Sequence, residues 1–521
     1  MAPDFLASVC LGAMVTEVLQ NYLGGRWIAG AGSGAALYDP VRGTELVRVD
    51  SSGLDIAAGF NFARKEGAEL RSLTYRQRGE MLSAIARMLQ GRREIYFEIA
   101  QANSGTVSND SAVDIDGAIY TISTYAKLAE TLGDRQFLFD GEATPLAKEA
   151  AFQGRHVLVP TRGLALLINA FNFPAWGLWE KAAPALLSGV PVVVKPATAT
   201  AWLAQAMVRD VVAAGILPVG ALSVICGSSA GLLDALEPFD LVSFTGSAET
   251  ASTVRSHPAI ARRSVRANIE ADSVNSAILV DGEAGGGPAF DLLVREVVRE
   301  MTVKSGQKCT AIRRILVPAS QYDAVADAIS SRLSKVTVGD PRNNRVRMGA
   351  LVNRAQYVAV QEGLAQLRKE TKILHDGASH DLIDADPAVA CCLGPTLLGA
   401  PDPDRSEIVH DIEIFGPVAT LMPYRDEAHA LALARRGQGS LVASVYGSGA
   451  AALSRVALEL ADSHGRVHVV SPEVADVQTG HGNVMPQSLH GGPGRAGGGE
   501  ELGGARALNF SHRRAAYRGR R

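Results

Sequence analysis

The segment 163–215, GLALLINAFNFPAWGLWEKAAPALLSGVPVVVKPATATAWLAQAMVRDVVAAG, carries the pattern that decides the fold. Short apolar runs bounded by helix-breaking residues read as buried strands, and GLALLIN (163–169) and VPVVVKP (190–196) both fit. Between them PAWGLWEKAAPALLSG has Pro near its start and Gly at its end, the asymmetry of a helix. TAWLAQAMVRDVVAAG reads as a second helix. Alternating strands and helices imply a parallel sheet wound by right-handed crossovers.

The alternation continues on the C-terminal side. ALSVICG (221–227) and DLVSFTG (240–246) read as strands, and GLLDALEP (231–238) and SAETASTVRSH (247–257) as helices. A second α/β series follows a junction near 280. It has a helix over 289–305, the strand RRILVP (313–318), the helix QYDAVADAISSRLSKV (321–336), and the strands EIFGPVATLMPY (413–424) and LVASVYGS (441–448). On the N-terminal side, residues 20–50 hold short β-like runs, and 54–103 read as helical from apolar spacings of three and four. EAAFQGRHVLVP (149–160) reads as an exposed hairpin arm, and HGGPGRAGGGEELGG (490–504) is too glycine-rich for a regular element and reads as a loop. The fold class is α/β.

A chain of 521 residues exceeds one compact core and divides into two large domains with smaller pieces. A formal net charge of −3 gives no electrostatic reason to expect nucleic acid or a membrane surface as partner. No apolar run reaches the roughly 18–20 residues that span a bilayer. The odd count of five cysteines, without CxxC spacing, argues against a disulfide framework or a structural metal, and fits a reducing cytoplasm. Residues 1–13 are apolar but have no basic flank, the first cation being Arg26, so a signal peptide is not expected; a start-site artefact is. The basic end SHRRAAYRGRR reads as a solvated terminus.

Several residues sit where chemistry is common, though each has an ordinary structural explanation when taken alone. Cys309, in SGQKCTAIRR, follows a helix, and the adjacent Lys308 would favour its thiolate. A lone Cys is more often a small buried hydrophobe. Glu270, in RANIEADSVN, ends an apolar strand, and Asn172, in INAFNFPAWG, lies where a strand gives way to a helix, as a cap residue would. Lys195 ends a strand beside a helix start, a position suited to a phosphate, and FTGSAET (244–250) is a fragment of a phosphate-binding turn.

In order along the chain, FNFPAWG, KPA, FTGS, the isolated Glu270, GQKCT and EIFGP resemble the aldehyde dehydrogenase superfamily from about residue 18 to the end. Glu270 stands 39 residues before Cys309, the separation of that family's base and nucleophile. The resemblance implies a Rossmann-type cofactor domain (14–148 and 166–281), an α/β catalytic domain (282–480), and a small β oligomerisation arm with the C-terminal segment (149–165 and 481–521). It implies Cys309 as nucleophile, Glu270 as general base and Asn172 as oxyanion donor. Lys181, Glu501 and Glu180 would relay protons, although a surface ion pair suits Glu180 equally well. The cofactor would lie on Ala170, Phe171, Lys195, Thr198, Gly246, Ser247, Glu413 and Phe415. Where NAD-preferring relatives carry a carboxylate three residues after the KPA lysine, this chain has Thr198, which implies NADP. Two further departures, Ala251 for a glycine and EADS for ELGG, touch cofactor placement only. INAFNFPAWGLWEKAAP, KPATATA, EADSVN and HGGPGRAGGGEELGG resemble semialdehyde dehydrogenases of coenzyme-A-dependent aromatic catabolism. That resemblance implies a CoA-linked semialdehyde as substrate and a homodimer. Another aldehyde, the phenylacetate-pathway semialdehyde, or acylation of free CoA are the alternatives. A chain ending at Arg521 without a hydratase favours the stand-alone benzoate-type enzyme. His490 and Arg495, in the glycine-rich loop, would either meet the acyl chain or support the loop.

Overall fold

The computed structural model describes residues 16–149, 151–280 and 286–520. The expectations for residues 1–13, Cys10 included, lie outside them. Two seven-stranded sheets organise the chain. The first runs in the order Arg266–Glu270, Leu241–Thr245, Ala165–Ile168, Val192–Lys195, Leu222–Val224, Asn21–Leu23, Arg26–Ile28. Its first five strands are parallel, and Asn21–Leu23 joins antiparallel to Leu222–Val224. Strand order reverses beside Ala165–Ile168, so a crevice opens at the carboxyl ends of the strands there.

Val192, Val193 and Val194 are all fully buried. Val192 and Val194 pack into the core beneath the helices Tyr75–Gly91, Ser108–Leu132 and Trp176–Leu187, while Val193 faces the core on the opposite side. Burial on both faces is why this strand reads as a continuous apolar run and not an alternating one. The second sheet runs Lys372–His375, Thr396–Gly399, Val418–Tyr424, Arg314–Pro318, Ser276–Leu279, Ser440–Tyr446, His464–Val470. All of its pairings are parallel except that of Lys372–His375.

Several expectations shift. The chain changes sheets between Glu270 and Ser276, before the expected junction near 280, because the apolar run SAIL already pairs with Arg314–Pro318. GLLDALEP forms turns with no helix. EIFGP precedes its strand, which begins at Val418. The arm is a three-stranded sheet that starts at Leu138, with Phe152–Pro160 paired between Leu138–Pro145 and His512–Arg520. The basic end is therefore a paired strand, since nine residue pairs from Arg520 to His512 match Phe152 to Pro160. Residues 490–504 contain two short paired strands, Leu489–Gly491 and Glu500–Leu502. The helix Ser108–Leu132 adds an element the apolar spacing does not announce. Among the described residues, no helix is long and apolar enough to cross a membrane.

Candidate active site

The carboxyl ends of the first sheet collect the expected residues. Asn172 follows Ile168, Lys195 ends its own strand, Gly246 follows Thr245, and Glu270 ends the edge strand. Cys309 reaches the same place from the second sheet, in the turn before Arg314–Pro318. The Cys309 thiol, a carboxylate oxygen of Glu270 and a ring nitrogen of His490 lie within 4.8 Å of one another. Two groups far apart in sequence thus meet at one point.

A strained turn sets the thiol in place. Lys304, Ser305 and Gly306 are consecutively left-handed, with φ of 53°, 54° and 67°. Such backbone costs about 1–2 kcal/mol for each non-glycine residue and needs outside support. The Lys304 N–H donates to Asp110 (2.8 Å), and the Ser305 hydroxyl donates to the Gly349 carbonyl (3.0 Å). At Gly306 an added Cβ would lie 2.3 Å from the Gly416 carbonyl oxygen, so only glycine fits. Arg313 donates to the carbonyls of Gly306, Lys308 and Gly416. Asn275 donates to the carbonyls of Cys309 (2.8 Å) and Ala311 (3.0 Å), and accepts from Ser273 (2.6 Å). One turn of the helix Ser108–Leu132 serves both catalytic loops: Asp110 holds Lys304, and Asp114 accepts from the N–H of Trp176 (2.7 Å) at the start of the helix after Asn172.

Lys308 does not act on the thiol as the sequence suggests. Its ammonium turns away to a buried ion pair with Glu300 (2.6 Å). Burial, then the charge of Glu270, and then those of Glu180 and Glu413 hold the Cys309 thiol well above the ordinary range. The resting group is a protonated thiol facing a base. Burial works against the Glu270 carboxylate, but His490, Lys181 and the Cys309 thiol outweigh it and bring it down to about 2, so it is ionised at neutral pH. His490 Nε2 lies 2.9 Å from Glu270 Oε2, and its ring packs edge-on to Trp176 at 5.7 Å. His490 therefore meets the base, where the sequence offered an acyl chain or the loop, while Arg495 supports the loop through the carbonyls of His410 and Asp411.

Asn172 is buried, and its amide nitrogen has no hydrogen-bond partner among the described residues. Such an orphaned donor costs about 1–3 kcal/mol unless a ligand takes it up. Behind Glu270 lies a buried chain of charges. Lys181 Nζ is 2.5 Å from Glu180 and 3.2 Å from Glu501, and Glu501 also accepts from Ser243 and Asn268. Glu180 is 2% exposed, which removes the surface ion-pair reading. Burial first, then Glu501 and Glu270 over the opposing Lys181, hold its carboxyl well above the usual range.

The residues expected to meet a cofactor lie at or just after the ends of strands of the first sheet and in the turn before Val418–Tyr424. Thr198 is exposed and donates to the Gly227 carbonyl (3.1 Å); Lys195 is buried and donates to the Pro196 carbonyl (2.6 Å). Ser247 caps the helix Ala248–Ser256, and the Gly246 N–H donates to the Glu270 carbonyl. The rings of Phe171 and Phe415 meet edge-on at 5.6 Å, and Ala170 precedes Phe171 at half-buried depth. Glu413 accepts from the Ser273 N–H (3.0 Å), while burial pushes its carboxyl up to about 7. Polar atoms of Asn169, Thr245 and Glu413 are buried without hydrogen-bond partners among the described residues, which suits a crevice built for a polar ligand.

A cavity of about 250 Å³ opens on Cys309, with Val113, Phe173, Trp176, Val484 and Met485 forming its apolar walls. A wider depression of about 770 Å³ around Arg42 and Arg342 lies elsewhere, and its cations are paired with Asp340.

Sequence reading missed Asp110, Asp114, Asn275, Arg313 and the His490–Glu270 contact. EADSVN contains Asn275 at a fixed distance from Glu270, which was a usable signal. No local spacing ties His490 to Glu270, which is 220 residues earlier.

Comparison with known proteins agrees with this geometry. A 3,4-dehydroadipyl-CoA semialdehyde dehydrogenase from Aromatoleum evansii is 56% identical over 477 residues, 91% of this chain and 93% of that protein. The crystal structure of betaine aldehyde dehydrogenase from Staphylococcus aureus in complex with NAD+ superimposes with a TM-score of 0.84 at 23% identity, covering 96% of this chain and 95% of that one. Lactaldehyde dehydrogenase from Escherichia coli gives 0.84 at 20% identity over 97% of this chain and 99% of its own. The profile described as "Aldehyde dehydrogenase family" matches residues 27–513, and with the Cys309 thiol and the Glu270 carboxylate meeting at one point, the chain belongs to that family.

Proposed function

We propose that the protein is an NADP-dependent dehydrogenase that oxidises a CoA-linked semialdehyde, 3,4-dehydroadipyl-CoA semialdehyde or a near analogue, to its acid through a thioester on Cys309. The observation that carries this reading is the meeting of Cys309 and Glu270 beside an apolar cavity, with the unpartnered Asn172 amide just past the strand Ala165–Ile168 of the same sheet as Glu270. The Aromatoleum relative, through the substrate in its name, supplies the acyl group.

Glu270 takes the thiol proton as Cys309 Sγ attacks the aldehyde carbon. The alkoxide that forms is held by the Asn172 amide and the Cys309 backbone N–H. When bound, the nicotinamide would supply the acceptor for the hydride of this carbon, whose loss would leave a thioester on Cys309. Glu270 then deprotonates water, which adds to the thioester carbon; the acid departs and the thiolate is regenerated. Lys181, Glu180 and Glu501 carry the proton away from Glu270 after each transfer, so that it is a base again before water is deprotonated. Asn172→Ala should therefore lower kcat by about 10²–10³ with little change in KM, since the amide acts on charge that appears only during reaction. Steady-state kinetics with the aldehyde in excess checks this.

Phe171, Phe415, Ala170 and Glu413 would hold the nicotinamide end of the cofactor, and Gly246 and Ser247 the diphosphate. Lys195 and Thr198 would hold the adenosine ribose. At Thr198 a neutral hydroxyl stands where a carboxylate would repel a 2′-phosphate, which supports NADP over NAD. The first sheet would form the cofactor domain, and the second the catalytic domain. Phe139, Phe152 and Tyr517 are 45%, 47% and 63% exposed on the three-stranded arm, a pattern that supports a homodimer formed there. The free thiols of Cys226, Cys309, Cys391 and Cys392 suit a reducing cytoplasm.

The test is a kinetic comparison of NADP with NAD across CoA-linked and free aldehydes, with and without added CoA. The expected result is a higher kcat/KM with NADP and the CoA-linked semialdehyde, independent of free CoA. An absolute requirement for free CoA would overturn the hydrolytic reading, and equal rates with all aldehydes the substrate assignment.

A further inference from the structure

We infer that Cys309, Glu270 and His490 form a thiophilic metal site that takes Zn²⁺ and holds the enzyme in a closed-off, inactive state. One sulfur, one oxygen and one nitrogen ligand atom lie within 4.8 Å of one another, from three distant parts of the chain. His490 and Glu270 are 1% and 2% exposed, so their side chains are held against the site by the protein. His490 Nε2 and Glu270 Oε2 approach to 2.9 Å without hydrogen-bond alignment; both ring nitrogens and Glu270 Oε1 have no hydrogen-bond partner among the described residues. The Trp176 ring fixes the plane of the imidazole.

Mixed sulfur, nitrogen and oxygen donors select zinc over calcium or magnesium, which take oxygen ligands. Ligand atoms of tetrahedral zinc lie about 3.3–3.8 Å apart, given bonds of about 2.0–2.3 Å. The nitrogen–oxygen edge, at 2.9 Å, would open slightly, and the edges to the sulfur, at most 4.8 Å, would shorten to reach that size. The charge of Lys181, which also acts on Glu270, is shared with its partners Glu180 and Glu501. Cys309 also lines the adjoining cavity, from which water can complete the shell. On binding, the thiol proton leaves to solvent, a sulfur–zinc bond forms, and nothing is oxidised or reduced. Both the sulfur lone pair and the carboxylate needed for turnover are then engaged.

The test uses the full-length, metal-free protein without cofactor or substrate, with Co²⁺ as optical probe and Zn²⁺ as competitor. One Co²⁺ per chain should produce a thiolate-to-cobalt charge-transfer band, which one equivalent of Zn²⁺ removes. Saturating Zn²⁺ should slow iodoacetamide labelling of Cys309, followed by peptide mass spectrometry, at least tenfold, and EDTA should restore it. Cys309→Ala should abolish the band, and His490→Asn should weaken binding at least tenfold. If His490→Asn fails to fold by circular dichroism, Glu270→Gln takes its place with the same expected loss. A band that persists in Cys309→Ala, or labelling of Cys309 that Zn²⁺ leaves unchanged, overturns the site. Because binding and labelling are read without turnover, failure here leaves the proposed reaction standing, and failure of that reaction leaves this result intact.

Discussion

Cys309→Ala is expected to remove aldehyde-dependent reduction of the nicotinamide, lowering kcat on the order of 10⁵–10⁶-fold, the scale seen when a covalent nucleophile is deleted. The reasoning is local. Cys309 is partly exposed at a cavity, so removing its sulfur leaves no sealed void in the core and should cost little stability. No other thiol among the described residues can substitute for it. Cys226 and Cys392 are buried among apolar side chains, and burial pushes each thiol up to about 12. Cys391 is also buried and lies in the same core as Cys392. Asn172 and Glu270 remain in the variant, so the aldehyde and its hydrate still bind near the oxyanion donor, and any residual rate reports that background. The measurement is NADPH formation by Cys309→Ala alongside cofactor binding by fluorescence. Retained binding with no turnover is the expected pair of results; near-normal turnover with retained binding would remove Cys309 from the chemistry.

The sequence made these groups legible because each sits at the end of an apolar strand or beside a helix start, where periodicity breaks visibly. Glu270 ends RANIE, Lys195 ends VVVK, and Asn172 follows ALLI, and all three arrive at the carboxyl ends of one sheet. What stayed hidden depends on contacts across the fold. The helix Ser108–Leu132 carries Ile, Thr and Val throughout and a glycine at 117, which blurs the apolar stripe that marks a surface helix. Its partners on both faces bury Asp110 and Asp114 as thoroughly as its apolar residues.

Residues 490–504 read as a loop because glycine is a poor strand former. There, however, glycine answers a spatial demand. A Cβ at Gly497 would lie 2.2 Å from the Ile269 carbonyl oxygen, and the Gly499 N–H donates to that same carbonyl. The stretch packs its backbone directly on the strand that ends in Glu270, and this close approach is what brings His490 and Glu501 to the base. Lys308 shows the opposite error. Adjacency in sequence suggested an effect on the thiol, yet neighbouring side chains in a turn diverge, and a buried Glu300 claimed the ammonium.

Glu270→Gln should separate the two halves of the reaction. Its carboxylate stands beside the thiol and, through burial and its own charge, keeps that thiol protonated. Two opposing consequences follow from the substitution. With the negative charge gone, the Cys309 thiolate forms more readily, so iodoacetamide labelling of Cys309 should move to lower pH than in the wild type. A thiol whose proton affinity is raised in the folded protein loses that excess when its cause is removed, which fixes the sign of the shift. Attack on the aldehyde therefore survives. Hydrolysis does not, because the amide of Gln cannot accept a proton from water, and loss of a positioned base costs about 10²–10⁴-fold. The expected record is a burst of nearly one NADPH per active site, followed by a slow steady state, with intact-mass spectrometry finding the acyl group on Cys309. Lys181 cannot stand in for the base: it is held between Glu180 and Glu501 and remains charged in the variant, so it offers no lone pair to water. If Glu270→Gln turned over without a burst and labelled at a higher pH than the wild type, the carboxylate would be acting on the first step alone, and the water-activating role would belong to another group.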